Sequence, residues 1–274
     1  MITIVGAGLF GAVARDLLRA RGIACQTIDD GRPLAGSYPA GCLTKPSWLT
    51  SIKNGDTAMS LLDQLYGRRT IPIRVGPLKL DSVTHYPPAA ILRPADIRGT
   101  VVSVNPQDAS VRLSDGRPIR ADAVLVAAGV WCRELLPEHF SGIRLTALQG
   151  CSQRFAGALP EACLRVWAPF KQSVAFNIQP GVVWFGDGTA LKPESFNQTH
   201  VERSLAHAED VGLDRSALIE TRIGLRPYVR GQAGWFRRVG PRCWVSTGGA
   251  KNGVVLAAAQ AIQFLNEVEG GFTL

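Results

Sequence analysis

The chain has 274 residues, of which 46% are hydrophobic, so it can bury a substantial core in one large domain or two smaller ones. The same composition excludes a disordered chain, and no apolar run reaches membrane-spanning length. Thirty Lys and Arg against 22 Asp and Glu give a net charge of +8. That excess indicates either a general solubility bias or a polyanionic partner.

The cysteines and the first residues of the chain indicate the cellular compartment in which the protein is expected to work. Six scattered cysteines include no C-x-x-C pair, so neither a metal site nor a disulfide framework is predicted. No charged segment followed by an apolar one precedes the first predicted strand, which argues against secretion. We therefore expect a cytoplasmic protein without a metal.

A dinucleotide-binding pattern opens the chain. Gly6, Gly8 and Gly11 form G-x-G-x-x-G between an apolar strand and a predicted helix, and a second strand ends at Asp29. The glycines permit a tight turn, a close approach to a pyrophosphate and close helix–strand packing, while the acid accepts hydrogen bonds from a ribose. The alternative is a Gly-rich turn without a ligand. The cofactor contacts predicted in this unit are Gly6, Gly8, Leu9, Phe10, Gly11, Asp29 and Asp30.

The remaining elements follow in chain order. A long apolar strand that ends in a small-residue turn, over 121–129, is typical of a parallel strand buried on both faces. A second Gly-rich loop, over 247–253, lies between a strand and the last helix. The other predicted elements are a helix over 58–66, strands over 71–75, 78–80, 97–104 and 110–113, a hairpin around 180–181, a helix over 201–211, a strand over 243–246 and a helix over 254–268.

Four separated segments together resemble FAD-dependent oxidoreductases of the D-amino-acid oxidase and glycine oxidase family. They are the first unit up to Asp29, the I-R-A-D-A-V-L-V-A-A-G-V-W-C-R-E-L segment over 119–135, the G-L-R-P segment over 224–227 and the T-G-G-A-K-N-G loop over 247–253. The resemblance implies an α/β fold in which a Rossmann-like FAD-binding domain carries a smaller, trimmed antiparallel-sheet substrate domain. The implied boundaries are 1–50, 93–142 and 222–274 for the FAD-binding domain and 51–92 and 143–221 for the substrate domain.

The resemblance also implies roles for residues outside the first unit. Arg226 would bind a substrate carboxylate as a bidentate pair, with Lys251 as a second cation. Gly249 stands where the family usually has His, which excludes a covalent flavin link there, implies non-covalent FAD and predicts a more open site. Packing is the preferred role of Cys42. The further cofactor contacts implied are Gly41, Cys42, Leu43, Val102, Ala128, Gly129, Trp131, Gly248, Gly249, Lys251, Asn252, Gly253 and Val254.

The resemblance implies oxidation of a C–N bond, with the flavin as hydride acceptor and dioxygen as its reoxidant. The segment between the first Gly-rich loop and Ile97 is shorter than is usual in the family, and a cationic stretch is expected to border the site. The chain thus looks like the compact bacteriophage enzymes that act on a glycine attached to thymine in DNA. Free glycine, sarcosine or a D-amino acid is the alternative substrate, and a tRNA-modifying or non-catalytic flavoprotein is the alternative class. The stretch comprises Arg222, Arg226, Arg230, Arg237, Arg238, Arg242 and Lys251.

Overall fold

Two large sheets, one three-stranded sheet and six α-helices lie in the part of the chain that the computed structural model describes, residues 1–45, 49, 52–75, 79–168, 171–249 and 252–271. The helices are α1 (Leu9–Ala20), α2 (Gly55–Tyr66), α3 (Pro88–Ile91), α4 (Cys132–Leu135), α5 (Gln198–Glu209) and α6 (Gly253–Gly271). The strands are β1 (Ile2–Val5), β2 (Cys25–Asp29), β3 (Leu43–Thr44), β4 (Arg69–Val75), β5 (Lys79–His85), β6 (Ile97–Arg98), β7 (Val101–Asn105), β8 (Ser110–Leu113), β9 (Pro118–Arg120), β10 (Ala123–Val126), β11 (Leu145–Ala156), β12 (Ala162–Ala168), β13 (Lys171–Gln179), β14 (Val182–Gly186), β15 (Leu218–Val229), β16 (Trp235–Gly240) and β17 (Cys243–Thr247).

A six-stranded sheet in the order β16-β17-β10-β1-β2-β6 forms the nucleotide-binding half. Its strands are parallel except for β16, which pairs with β17 in the antiparallel sense. Every residue of β1 and β10 is buried, as their continuous apolar sequences predict. The apolar faces of α1, α2 and α6 cover one face, and the other face packs on a three-stranded sheet of β7, β8 and β9.

The strand predicted over 97–104 is two strands in the structure. β6 joins the edge of the six-stranded sheet through pairing with β2, and β7 pairs with β8 in the three-stranded sheet. Gly99 and Thr100 separate them, and the hydrogen bond from Gly99 N to Asp29 O is 3.1 Å. The period-two alternation in the sequence runs through both strands without a break. It therefore gave no sign that the chain passes from one sheet to another between them.

The second large sheet has eight strands in the order β15-β11-β14-β13-β12-β4-β5-β3. All neighbours are antiparallel except β12 and β4. One face packs on α5, and the other faces the cavity described below. The domain boundary expected at residue 222 falls inside β15, and β3 also belongs to this sheet. Within the described ranges, no helix is long and apolar enough to cross a membrane.

Candidate functional site

A cavity of about 930 Å³ lies between the carboxyl ends of the parallel strands and one face of the eight-stranded sheet. That volume is near the upper end of ligand pockets, roughly 300–1,000 Å³. The predicted site residues that line it are Gly6, Gly8, Leu9, Phe10, Asp29, Asp30, Gly41, Cys42, Leu43, Val102, Ala128, Gly129, Trp131, Arg226, Gly249, Asn252, Gly253 and Val254. Gly11 and Gly248 lie behind this surface, and Lys251 is outside the described residues.

The first Gly-rich loop is packed so tightly that its glycines leave no space for side chains. A Cβ on Gly11 would lie 1.8 Å from the Gly6 carbonyl oxygen. A Cβ on Gly6, whose φ is +104°, would lie 2.5 Å from the Ala127 carbonyl oxygen. The missing side chains therefore let α1 approach β1 and β10 closely, which is the arrangement that a dinucleotide-binding loop requires.

The first turn of α1 offers donors to an anion at the cavity wall. Gly8 precedes the helix without a capping side chain, so first-turn N–H groups remain for a ligand. Ser37 Oγ accepts a hydrogen bond from Leu9 N at 2.9 Å and keeps its own hydrogen to donate. Asp29 accepts hydrogen bonds from Ala7 N at 2.7 Å and from Gly31 N at 2.6 Å, so its carboxylate holds both loops in place.

A second helix N-terminus reaches the same cavity. Asn252, with a left-handed φ of +55°, accepts hydrogen bonds at its carbonyl from Val255 N and Leu256 N, and so begins α6. The positive ends of the α1 and α6 dipoles thus both face the cavity, which favours negative charge there. The residues present fit a dinucleotide with a group that becomes negatively charged on reduction.

The expectation that Gly249 opens the site is wrong. A Cβ on Gly249 would lie 2.7 Å from Cζ of Phe10. The Phe10 ring therefore occupies the space that a side chain at position 249 would take. Because Phe10 lies in the first Gly-rich loop, the two Gly-rich loops pack against each other through this contact.

One end of the cavity carries an aromatic and cationic rim. The Arg32 guanidinium lies 4.8 Å from the centroid of the Trp131 ring and forms a 2.7 Å ion pair with Asp30. Val102 lines the same cavity and is 50% exposed. An apolar side chain with that exposure inside a cavity is suited to cover a flat, apolar ring.

Trp184 forms part of the wall that the eight-stranded sheet contributes. Its Nε1 donates a 3.1 Å hydrogen bond to the Pro39 carbonyl oxygen, and its ring centroid is 5.4 Å from that of Phe176. A Cβ on Gly41 would lie 3.0 Å from the indole, and one on Gly186 would lie 2.4 Å from it. Two glycines therefore make the space in which the indole is held.

Arg226, the residue predicted to bind a substrate carboxylate, lies on β15 and lines the cavity. Gly150, its diagonal neighbour on β11, has no side chain, and a Cβ there would lie 3.0 Å from Arg226 Nη2. Burial lowers the pKa of the guanidinium, and the nearby carboxylate of Asp187 opposes that shift. Within the described part of the chain, no hydrogen bond or ion pair engages the guanidinium. Its N–H donors remain for a ligand.

The expectation that the whole cationic stretch borders the site is wrong for the described residues, because Arg226 alone among its arginines lines the cavity. Arg222 forms a 2.9 Å ion pair with Glu220. Arg238 lies on β16, 5.2 Å from the centroid of the Trp244 ring. The stretch separates because β15 and β16 belong to different sheets.

Several residues of the site and its surroundings were not predicted from the sequence, among them Arg32, Ser37, Trp184 and Asp187. Ser37 gave only the signal of a Gly-, Pro- and Ser-rich loop, and Trp184 followed a predicted turn without any motif. Asp187 lies between two glycines and carries no recognisable pattern. Among the described residues, no group of three His, Cys, Asp or Glu is placed to hold a metal ion.

The fold is similar to that of several solved oxidoreductases. Iminodiacetate oxidase from Chelativorans sp. BNC1 matches with a TM-score of 0.74 and 18% identity, over 98% of this chain and 95% of that chain. Glycine oxidase from Bacillus cereus matches with a TM-score of 0.72 and 15% identity, over 99% and 95% respectively. Glycerol-3-phosphate dehydrogenase from Bacillus halodurans, solved with FAD, matches with a TM-score of 0.70 and 14% identity, over 98% and 64%. No protein-family model and no curated protein sequence matches this chain.

These likenesses confirm the fold class predicted from the sequence. The chain has the α/β fold of FAD-binding oxidoreductases of the glutathione reductase and D-amino-acid oxidase type, with a second, mainly antiparallel sheet. Coverage of 95% of the first two chains extends the likeness over both large sheets. A shared fold leaves the activity to be argued from the site.

Proposed function

We propose that the protein is an FAD-dependent oxidase of an amine that carries a carboxylate. One observation carries the proposal. Arg226 places a guanidinium that no described residue engages in a hydrogen bond or ion pair on the wall of a cavity that is built, by two Gly-rich loops and two helix N-termini, for a dinucleotide. The names of two similar structures, glycine oxidase and iminodiacetate oxidase, belong to enzymes of the same chemical class and support it.

The residues of the site divide the work between cofactor and substrate. FAD, when bound non-covalently, supplies the acceptor for a hydride, and dioxygen is the terminal oxidant, yielding hydrogen peroxide. Arg226 binds the substrate carboxylate through two parallel N–H bonds and so fixes the carbon next to nitrogen. That carbon loses a hydride, and the resulting imine is hydrolysed by water. The substrate amine binds neutral, so this scheme needs no strong acid or base from the protein.

The Arg226 assignment is tested by anaerobic bleaching of the flavin with glycine, sarcosine or D-alanine. We expect Arg226→Ala to retain FAD and to raise KM, losing roughly 2–4 kcal/mol of binding because a buried carboxylate is left unpaired. Arg226→Lys should recover only part of this, since a point charge lacks the bidentate fork. Arg222→Ala is the matched control, because Arg222 lies on the same strand outside the cavity.

Two results would contradict the assignment. Near-normal kinetics in Arg226→Ala would remove this residue from the site. A wild-type flavin that no carboxylate-bearing amine reduces, free or attached to DNA, would favour a tRNA-modifying or non-catalytic flavoprotein.

The finer proposal concerns the substrate, a glycine-type amino acid attached to thymine in DNA. Oxidation on the glycine side would leave an aminomethyl base and release glyoxylate. The net charge of +8 supports a polyanionic partner. So does Arg237 on edge strand β16, which is exposed and engaged by no hydrogen bond or ion pair within the described residues. A free amino acid has no use for such charges.

A further inference from the structure

We propose that Asp187 is a positioning residue that acts through Arg226, as a buried counter-charge that sets how strongly the guanidinium attracts a carboxylate. The inference deepens the proposed function and rests on it. Asp187 would act on a substrate through Arg226, because Arg226 lines the cavity and Asp187 itself does not.

The backbone after β14 brings Asp187 close to Arg226. Gly188, with a φ of +68°, turns the chain so that the Thr189 carbonyl oxygen lies 2.4 Å from the point where a Cβ on Gly150 would stand. Arg226 Nη2 lies 3.0 Å from that same point. The guanidinium and the turn over 187–189 therefore meet above Gly150, which has no side chain to separate them.

The Asp187 carboxylate is fully buried and already bonded. It is 0% exposed, and it accepts hydrogen bonds from Thr189 N at 2.9 Å and Thr189 Oγ1 at 2.7 Å. His207 on α5 places Nδ1 4.0 Å from it, on the side of the sheet away from the cavity. Asp187 thus has local bonds that fix it, and since no hydrogen bond joins it to Arg226 among the described residues, we infer that it acts on the guanidinium through its charge.

This arrangement separates two tasks that a direct ion pair would combine. A carboxylate forked onto Arg226 would balance its charge but would occupy the donors that a substrate needs. A counter-charge held slightly away makes the buried guanidinium less costly and leaves its donors available. The same negative charge also repels a bound carboxylate, so it limits the affinity.

The test uses the FAD-loaded protein with acetate as the probe, measured by calorimetry and by the change in flavin absorbance. Asp187→Asn keeps the shape and removes the charge, and Arg226 stays protonated at neutral pH. We expect acetate to bind roughly tenfold more tightly, because the attraction to Arg226 is no longer offset. A residue that merely supported the fold would weaken binding when replaced. In a wild type that binds acetate, unchanged or weaker binding by Asp187→Asn would overturn the proposal.

A double-mutant cycle tests the charge coupling without any ligand. Urea unfolding is compared for the wild type, Asp187→Asn, Arg226→Gln and the double variant. We expect the double variant to be more stable than the sum of the single losses predicts, because neither charge is then left alone. Additive losses would overturn the proposal. Glu220→Gln is the matched control: Glu220 is a carboxylate paired with Arg222 and Arg154 outside the cavity, so its loss should leave acetate binding unchanged and show no coupling to Arg226 in urea unfolding.

The two experiments separate the inference from the function on which it rests. The wild type could bind no acetate while the unfolding free energies of the Asp187 and Arg226 variants are not additive. That result would contradict the proposed carboxylate site and retain the counter-charge. Acetate binding that is lost in Arg226→Gln, together with additive changes in unfolding free energy, would support the carboxylate site and contradict the counter-charge.

Discussion

Cys42 combines a strained backbone with a buried thiol on the cavity wall. Its φ is +48°, and it is 6% exposed. Burial raises the pKa of the thiol to about 12, so the reactive thiolate is almost absent at neutral pH. We therefore expect Cys42→Ala to retain flavin reduction, and iodoacetamide at pH 8 to leave the wild-type activity unchanged.

The raised pKa also sets a dependence of stability on pH. In the unfolded chain the Cys42 thiol ionises near pH 9, whereas the folded chain holds it neutral up to about 12. Ionisation then favours the unfolded state, so stability is lost as the pH rises through this window. At pH 10 the loss is on the order of 1 kcal/mol for this thiol. Urea unfolding at pH 7 and 10 checks it: the decrease should be smaller in Cys42→Ala, and an equal decrease would contradict the burial argument.

Some residues of the candidate site can be predicted from sequence motifs, whereas others are recognised only from the three-dimensional arrangement. Asp29 and Arg226 were predicted because each stands at a fixed place in a recognisable segment, and the structure places both at the cavity. Asp187 was not predicted, since its importance depends on the absence of a side chain at Gly150, 37 positions earlier in the chain. No local pattern encodes such a contact.

The junction of β1 and α1 depends on Gly11 more than on any capping group. A Cβ there would lie 1.8 Å from the Gly6 carbonyl oxygen, so Gly11→Val must separate the helix from the strand. We expect that variant to contain no FAD, whereas denaturing the wild type should release free FAD. Gly270→Val is the control, because a Cβ there meets no heavy atom within 4 Å. Release of FMN, or full flavin content in Gly11→Val, would contradict the prediction.

Among the elements, those of the six-stranded sheet were predicted best. β1, β10 and β17 have short apolar sequences between turn signals, and the structure has strands at all three places. β11 and β15 were not predicted, although they form the longest strand pair described. β15 contains Gly224 and Pro227, which normally argue against a strand; the sheet accepts them because β15 is an edge strand.

At the scale of the whole molecule, the described cations of the basic stretch are not concentrated around the cavity. The six-stranded and eight-stranded sheets carry β16 and β15 at their edges, so the arginines of one sequence stretch are distributed over two surfaces. Closeness in the sequence was therefore a poor guide to which cations a substrate would contact. A long polyanion could still contact both surfaces, whereas a free amino acid in the cavity would meet, among the described arginines of this stretch, Arg226 alone.

A DNA-attached substrate predicts activity that depends on salt. Each phosphate that the protein neutralises releases condensed counterion and lowers log K by roughly 0.7–0.9 per log unit of salt. We expect kcat/KM on glycine-modified DNA to fall between low and moderate salt, and weak turnover of free glycine to stay nearly constant. Arg237→Glu should impair the DNA reaction alone, because Arg237 is exposed and does not line the cavity. Arg112→Glu on β8 changes the net charge equally and should have a smaller effect. Efficient oxidation of free glycine or sarcosine, with modified DNA neither bound nor able to reduce the flavin, would make the basic surface a solubility bias and the protein an ordinary amino-acid oxidase.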